Sequence, residues 1–228
     1  THVVPFVTVS SIPRPLSHGI RRVDVGGKLL TNLLKETISF RHWNMMDEVA
    51  LVNHIKESCC RVSLDVSGDL RARETLHYVL PDYLTSTTGR IVSPEESARL
   101  KSDSSKSQIL VLGNERFSVP EVLFNPIDAG IDQFGVADAV ASCVSGCNPH
   151  ENDQLLSMVL VRGGSSMIPN FSKRLEADVR CLVPEGSPLR VVHSSDPICD
   201  AWLGARDVVT SGDFSKVAIT RKDYDECG

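Results

Sequence analysis

The sequence predicts an α/β fold with a mixed sheet, and three observations support that class. The first 25 residues contain three short strand-like segments, which predict a β-meander. Helical patterns and short apolar strands alternate in the later part of the chain. Of the 228 residues, 41% are hydrophobic and 23% are charged, the composition of an ordinary globular protein. Collagen, coiled coil and general disorder are thereby excluded.

Two helices are predicted after the glycine pair Gly26-Gly27. The first has one apolar face, made of Leu30, Leu33, Leu34, Thr37 and Ile38. The second spans about residues 46–61 and has Asp47 as a plausible N-cap. Its predicted buried stripe is Val49, Val52, Ile55 and Cys59. Helices at this spacing favour packing on a neighbouring sheet.

The segment 82–108 differs from its surroundings because it is rich in Ser and Thr and poor in apolar residues. We predict a surface insertion that is partly mobile. It contains four basic and four acidic residues, so its net charge is zero. A DNA-binding arm would need excess positive charge to displace counterions from phosphates, and the segment therefore does not fit that function.

Order is predicted to resume after the insertion. Residues 109–126 form a strand, a turn and a short helix, whose start is favoured by Pro120. An amphipathic helix over 135–147 and a buried strand over 157–161 follow. A helix beginning near Ile168, a strand near residue 190, and a helix leading to a polar tail complete the pattern. This order of elements is typical of an α/β protein.

Charge and cysteine usage limit the function classes. Lys and Arg number 24 and Asp and Glu 29, so the net charge of −5 excludes a general nucleic-acid binder. Residues 1–41 carry a net +4 and the remainder −9, which indicates either two differently charged faces or an acidic surface that meets a basic partner. Seven cysteines without paired spacing favour a reduced, intracellular protein. No apolar run reaches the 18 residues that a membrane span needs.

Two local patterns, RVDVGGK and MVLVRGGSS, each read as strand, Gly-Gly and helix. Glycine lets the backbone approach a ligand closely, and a helix start offers unpaired N–H groups that suit phosphate. Two such turns hint at a nucleotide cleft, although a simple strand-to-helix connection is the commoner explanation of each. No P-loop, nucleophile elbow or H-E-x-x-H motif is present.

Other candidate residues each have two interpretations. Lys56 and Glu57 are either a solvated pair on a helix surface or groups that reach a purine and a ribose. His2 either orients a water molecule or makes a structural hydrogen bond. Cys143 and Cys147 lie on an apolar stripe and are predicted to be buried thiols rather than metal ligands. Trp43 and Trp202 are predicted to be packing residues.

Longer segments resemble the actin family. NERFSVPEVLFNP is similar to the actin segment in which N-E-R-F precedes a helix carrying P-E-x-L-F-x-P, and VRGGSSMIPNF is similar to its S-G-G-T-T-x-x-P-G-F loop. THVVPFV, IKESCCRVSLD, AWLGARDV and TRKDYDECG resemble further actin segments in the same order. The resemblance covers nearly the whole chain except the insertion. It implies an actin-like, ribonuclease-H-like second lobe with a mixed sheet, flanking helices and a small helical subdomain.

The resemblance also implies domain boundaries. Residues 1–25 and 132–199 correspond to subdomain 3, and residues 26–131 to subdomain 4 with the insertion 82–108. Residues 200–228 correspond to a segment that returns to subdomain 1. On this interpretation the chain is the C-terminal portion of a two-lobed fold, and the first lobe, with its own phosphate loop, is absent from the sequence. The abrupt opening at Thr1 agrees with that expectation.

Within the family, VGGKLLTNLLKETIS, VRCLVPEG and DPICDAW are most similar to a nuclear class of actin-related proteins. Members of this class are subunits of Swr/SRCAP-type chromatin-remodelling complexes, in which a separate motor subunit hydrolyses ATP to exchange a variant histone into nucleosomes. The resemblance implies a non-motor architectural subunit whose partners are the other subunits, including the motor, with indirect contact to nucleosome or histones. It implies nuclear location with a cytoplasmic pool, no membrane association and no direct sequence-specific nucleic-acid binding.

The family's nucleotide residues carry over one by one. Gly27, Lys56, Glu57, Gly164, Ser165 and Met167 match cofactor-binding positions, and His2 matches a histidine near the attacking water. The implied cofactor is ATP or ADP, with no metal beyond nucleotide-bound Mg. Asn53, Ile168 and Ile198 depart from the Arg, Tyr and Lys that the family has there. Because these changes remove a cationic contact and an aromatic stack, weak or static binding without efficient hydrolysis is expected.

Two other functions stay open at this stage. One is an ATP-hydrolysing switch, which the altered purine side and the missing first lobe disfavour. The other is a polymerising, actin-like filament protein, which the insertion disfavours because it would obstruct a regular subunit repeat.

Overall fold

The computed structural model describes residues 1–9, 12–102, 107–212, 214 and 218–227. The strands in this part are β1 (His2–Val3), β2 (Phe6–Val9), β3 (Ile12–Pro15), β4 (Arg21–Arg22), β5 (Leu76–Val79), β6 (Arg90–Val92), β7 (Ile109–Leu112), β8 (Val159–Val161) and β9 (Val191–His193). The α-helices are α1 (Gly27–Arg41), α2 (Val49–Cys59), α3 (Val66–Ala72), α4 (Pro94–Ser102), α5 (Glu115–Glu121), α6 (Val136–Ser145), α7 (Asn152–Ser157), α8 (Phe171–Leu182), α9 (Asp200–Thr210) and α10 (Arg221–Cys227). The α/β class with antiparallel and parallel strand pairs agrees with the prediction.

The first four strands are nested rather than arranged as the predicted three-stranded meander. β1 pairs with β4, with His2 opposite Arg22, and the pair encloses the antiparallel hairpin of β2 and β3. Pro5 separates β1 from β2, since proline has no N–H to donate to a strand ladder. The opening segment therefore forms two short pairs, and β4 leads directly toward Gly26 and α1.

The insertion contains regular structure that its composition did not predict. β6 pairs with β5, and β5 pairs on its other side with β7, which gives an antiparallel three-stranded sheet in the order β6-β5-β7. Helix α4 lies between β6 and β7 in sequence and has Glu95 in its first turn. Residues 103–106 lie outside the described residues. A strand forms here despite the polar composition, because pairing with a neighbouring strand uses backbone hydrogen bonds, which do not depend on side-chain type.

One contiguous cluster of buried side chains joins α1, α2, the three-stranded sheet, α5, α6 and α8. Its fully buried members include Tyr78, Leu30, Leu34, Ile38, Ile55, Leu110, Leu112, Leu156, Leu175, Val25, Val52 and Val62. Thr31 is also buried, on the same side of α1. As predicted, Cys143 and Cys147 are buried thiols.

Two burial predictions and one helix-cap prediction are wrong. Leu160 in β8 is 43% exposed, because alternate residues of a strand face opposite ways and the described part pairs β8 with β9 alone. Val49 is exposed at the first position of α2, which begins three residues later than predicted. The residue before that helix is Glu48, without a side-chain cap, so Asp47 is not the N-cap.

The C-terminal helices are not covered by the rest of the described chain. Helix α9 buries none of its residues, and Trp202 is 65% exposed, so its predicted packing role is not met here. The guanidinium of Arg206, on the same helix, lies over the Trp202 ring at 5.7 Å from the ring centroid. In the described residues, every helix is too short or too polar to cross a bilayer. The subdomain boundaries remain a prediction.

Candidate functional site

The two glycine turns predicted from the sequence lie next to each other. A Cβ atom built on Gly27, in the first turn, would lie 3.4 Å from the Ser165 Oγ of the second turn. The same Cβ would lie 3.6 Å from the Lys56 Nζ on α2. The two strand-to-helix connections, which are far apart in sequence, therefore face each other across a gap that is bounded by Gly27, Lys56 and Ser165. A side chain at residue 27 would narrow this gap.

The first turn is positioned by β4 and by a hydrogen bond from the start of the chain. The Thr1 Oγ1 donates to the carbonyl oxygen of buried Val25 at 2.7 Å. Gly26 has an extended backbone, and α1 begins at Gly27. The first N–H groups of α1 are thereby located beside the gap, where helix geometry leaves them without intrahelical partners.

The second turn follows β8 and depends on backbone conformation. Gly163 has φ +89° and ψ 160°, a region that is essentially restricted to glycine. Its N–H donates to the Pro197 carbonyl at 2.8 Å, and its carbonyl accepts from the Ser166 N at 3.0 Å. A short 3₁₀ helix, Gly164–Met167, continues from it. A Cβ built on Gly163 or Gly164 would meet no atom within 4 Å, so this turn is open above its glycines.

The chain after α2 holds the second turn in register with the first. The Val62 N donates to the Pro169 carbonyl at 2.9 Å, and the Asn170 Nδ2 donates to the Val62 carbonyl at 3.2 Å. These bonds join the residues that follow α2 to those that follow the second turn. The end of the second turn is therefore held against the chain that follows α2.

A half-buried arginine strengthens the same joint. The Arg174 guanidinium on α8 donates to both carboxylate oxygens of Glu121 on α5, at 2.8 and 3.1 Å. It also donates to the Ser63 carbonyl at 2.8 Å and lies 4.9 Å from the centroid of the Phe124 ring. The pKa of Arg174 is raised, since hydrogen bonds to Glu121 and Asp178 outweigh its desolvation. These contacts join α5 and α8 to the chain that follows α2.

Lys56 is buried, with 7% of its surface exposed, and its ammonium group faces protein acceptors. The Nζ donates to the Asn53 Oδ1 at 2.8 Å, the Thr31 Oγ1 at 2.9 Å and the Gly27 carbonyl at 3.2 Å. Burial lowers the pKa of Lys56, while the Glu57 carboxylate opposes that shift. An ammonium group has three N–H donors, and all three have partners here.

Glu57 is exposed beside this network. Its Oε1 accepts a hydrogen bond from the Asn53 Nδ2 at 2.8 Å, across one turn of α2. Asn53 therefore contacts both members of the predicted Lys-Glu pair. In the sequence this position differs from the family pattern, and its bridging role depends on the folded structure.

The remaining predicted residues lie on the other side of the gap or away from it. Met167 is 55% exposed, and Ile168 is buried, so Ile168 belongs to the core. Ile198 is 62% exposed. His2 is exposed in β1 opposite Arg22, and within the described residues no side-chain hydrogen bond is found for it.

A cleft of about 480 Å³ opens beside the second turn. Its lining includes Met167, Ile168, His193 and Pro197. The His193 Nε2 lies 2.8 Å from the Ser166 carbonyl oxygen, which ties the end of β9 to the second turn. His193 is not among the residues predicted from the sequence, although the carboxyl end of a parallel strand is a common place for ligand contacts in α/β proteins.

Comparison with known proteins decides the family. The family model described as Actin matches residues 1–228. The chain belongs to the actin family. It is 43% identical to Actin-related protein 6 of Drosophila melanogaster over 100% of this chain and 58% of that relative. It is 36% identical to Actin-related protein 6 of Arabidopsis thaliana, covering 100% of this chain and 59% of the relative.

A fungal relative gives the same result. Actin-like protein ARP6 of Yarrowia lipolytica is 40% identical over 100% of this chain and 58% of its own length. The resemblance identified from the motifs is thereby confirmed. The chain spans less than two thirds of the length of the curated relatives that it matches.

The actin-family fold generally binds ATP or ADP with Mg, and the gap fits such a ligand in part. Gly27, Gly164 and Ser165 would face phosphates, because they lie at helix starts, and the space above Gly164 is open. Glu57 and Met167, which match positions that contact ribose and base, are both exposed. Among the described residues no cluster of three or more His, Cys, Asp or Glu side chains suits a metal ion. The roles of the individual site residues remain predictions.

Proposed function

We propose that this actin-related protein is a non-motor, architectural subunit of a Swr/SRCAP-type chromatin-remodelling complex that exchanges a variant histone into nucleosomes. The observation that carries the proposal is its similarity over the whole chain to proteins named Actin-related protein 6. The function is one of binding: a rigid scaffold docks neighbouring subunits, including the motor, and helps to hold the complex on the nucleosome. The proposed location is the nucleus, with a cytoplasmic pool.

We further propose that a nucleotide, when present, has a static role. Asn53 and Ile198 offer no cation to a purine, and Ile168 is a buried aliphatic residue rather than a ring that stacks on a base. The Lys56 ammonium already donates three hydrogen bonds within the protein. These features support slow or absent turnover. Bound ATP or ADP with Mg would then join parts of the fold rather than supply energy.

The tip of the insertion supports a role in subunit contact. The Asp82 carboxylate accepts hydrogen bonds from the N–H groups of Leu84, Thr85 and Ser86 at 2.9 to 3.0 Å. These bonds fix a turn in which Tyr83 is 60% exposed and Leu84 is 92% exposed. Apolar side chains held outward by a fixed turn lose little conformational freedom when they become buried against a partner. We therefore assign this turn to a contact with another subunit.

The test of the contact uses point substitutions, because deleting residues 82–108 would also remove the β6 strand from the sheet. The double variant Tyr83→Ser, Leu84→Ser should reduce co-purification of the other subunits from nuclear extract. Phe40→Ser is the matched control, since Phe40 is 92% exposed on α1, outside the insertion. Undiminished assembly of the double variant would reject the turn as a contact. Absence of remodeller subunits from the wild-type eluate would reject the proposed function itself.

An ATP-hydrolysing switch is the second candidate, favoured by the gap between the two glycine turns. Phosphate release by the intact protein is the direct measurement, with His2→Ala as the test variant and His18→Ala as an exposed histidine control. We expect no turnover above background in any of the three proteins. Turnover that is abolished by His2→Ala and preserved in His18→Ala would establish the switch.

A further inference from the structure

Asn53 is the residue that connects the two predicted ligand groups of α2. Its Oδ1 accepts from the Lys56 Nζ, and its Nδ2 donates to the Glu57 Oε1, each at 2.8 Å. The spacings of three and four residues bring these side chains together on one helix surface. The Thr31 Oγ1 also lies 3.2 Å from the Asn53 Oδ1, so the bridge reaches α1.

The chemistry of the amide makes this bridge specific. An ammonium group can only donate, and a carboxylate can only accept, so the residue between them must have an acceptor at one side and a donor at the other. Asparagine satisfies both neighbours in a single orientation of its amide. A hydrophobic side chain would satisfy neither, and an aspartate would satisfy Lys56 alone.

This arrangement has a consequence for any ligand in the gap. A sugar hydroxyl or a phosphate oxygen that accepts from Lys56 must replace the Asn53 Oδ1, the Thr31 Oγ1 or the Gly27 carbonyl. One hydrogen bond is then exchanged for another, and the net gain is small. The internal acceptors are attached to α1 and α2 and lie in place before a ligand arrives.

We propose that Asn53 is a positioning residue that withholds the Lys56 ammonium from nucleotide, and so keeps nucleotide affinity low while closing α2 onto the start of α1. The inference rests on the proposed function in taking the ligand to be a nucleotide. It goes further by naming the residue that sets the affinity.

The test is isothermal titration of the intact protein with Mg-ATP, together with thermal unfolding without ligand. In Asn53→Ala, one N–H of Lys56 and the Glu57 carboxylate are released for ligand. We expect roughly fivefold tighter binding, which corresponds to about one net hydrogen bond, and a lower melting temperature of the ligand-free protein. A residue with only a structural role would lower the melting temperature without tightening binding.

Thr31→Val provides a second, independent variant, because it removes another acceptor of Lys56 and keeps the side-chain shape. It should also tighten Mg-ATP binding. Asn53→Asp keeps the acceptor for Lys56 and should bind no more tightly than wild type. Asn32→Ala, on α1, is the matched control, since no side-chain hydrogen bond of Asn32 is found in the described part of the chain, and it should leave affinity unchanged.

The possible results separate cleanly. Tighter binding in Asn53→Ala and Thr31→Val, with the Asn32→Ala control unchanged, supports the proposal. Equal or weaker binding in both variants overturns it, and so does undetectable binding in wild type and variants alike, because Asn53 would then not limit affinity. None of these results bears on the architectural function, which is tested separately by co-purification of the other subunits.

Discussion

The two glycine turns of this protein have the same sequence pattern but are stabilised in different ways. At the first turn, the Gly27 carbonyl accepts hydrogen bonds from the Lys56 Nζ and the Thr31 Oγ1, and the Asn53 Oδ1 accepts from the same two donors. At the second turn, no atom lies within 4 Å of a Cβ built on Gly163 or Gly164, and the positive φ of Gly163 defines the bend. The first turn is thus fixed by side chains of α1 and α2, and the second by its own backbone. Substitutions should therefore affect the two turns through different mechanisms.

The largest expected effect is at the joint that holds the two turns together. Arg174→Met should lower the free energy of unfolding by about 3 kcal/mol, because it leaves the buried Glu121 carboxylate without its charged partner. Lys173→Met, an exposed position on the same helix, is the control and should change stability little. Chemical denaturation measures both. A loss no larger than that of the control would show that the joint does not depend on this ion pair.

A smaller effect is expected at the second turn. Gly163→Ala should destabilise the protein by about 2 kcal/mol, since alanine is strained at φ +89° with an extended ψ. Gly164→Ala is the adjacent control, because that residue has no positive φ and free space around a Cβ. Its expected change is close to zero. Equal losses in the two variants would mean that backbone conformation is not what defines this turn.

The smallest effect concerns the end of α2, the helix that holds the first turn. Burial raises the pKa of Cys59 and of Cys60 to about 12, from the ordinary value of 9.0. A group whose folded pKa is raised stabilises the protein below its unfolded pKa, and this stabilisation is lost as pH rises toward the folded value. Unfolding free energy should therefore fall from pH 9 upward, by about 1 kcal/mol per thiol at pH 10.

Variants of the two thiols isolate that contribution. Cys59→Ala, Cys60→Ala should be less stable at neutral pH, because packing is lost, but its stability should change less between pH 8 and pH 10 than that of wild type. The exposed Cys181→Ala is the control and should follow the wild-type slope. A double variant with an unchanged slope would contradict the assignment of the alkaline loss to these thiols.

Sequence patterns predicted more of the fold than of the site. The helix after Gly26-Gly27 was expected where α1 lies, because its apolar spacing and glycine start are local features. The regular structure of the insertion was missed, since β6 exists through pairing with β5. The Asn53 bridge was also missed. Its two bonds lie within one helix, but their importance depends on Thr31 and Gly27, which belong to another.

The sequence alone determined the α/β class, the actin-family kinship and the presence of two glycine turns, because these depend on residue types and their order. The tertiary structure decided that the turns meet, that Lys56 donates to Gly27 and that Ile168 belongs to the core. Those facts depend on residues that are distant in sequence: Lys56 and Gly27 are 29 positions apart, and Gly27 and Ser165 are farther apart still. Their energies come from burial and from hydrogen bonds across the core, and local sequence contains neither.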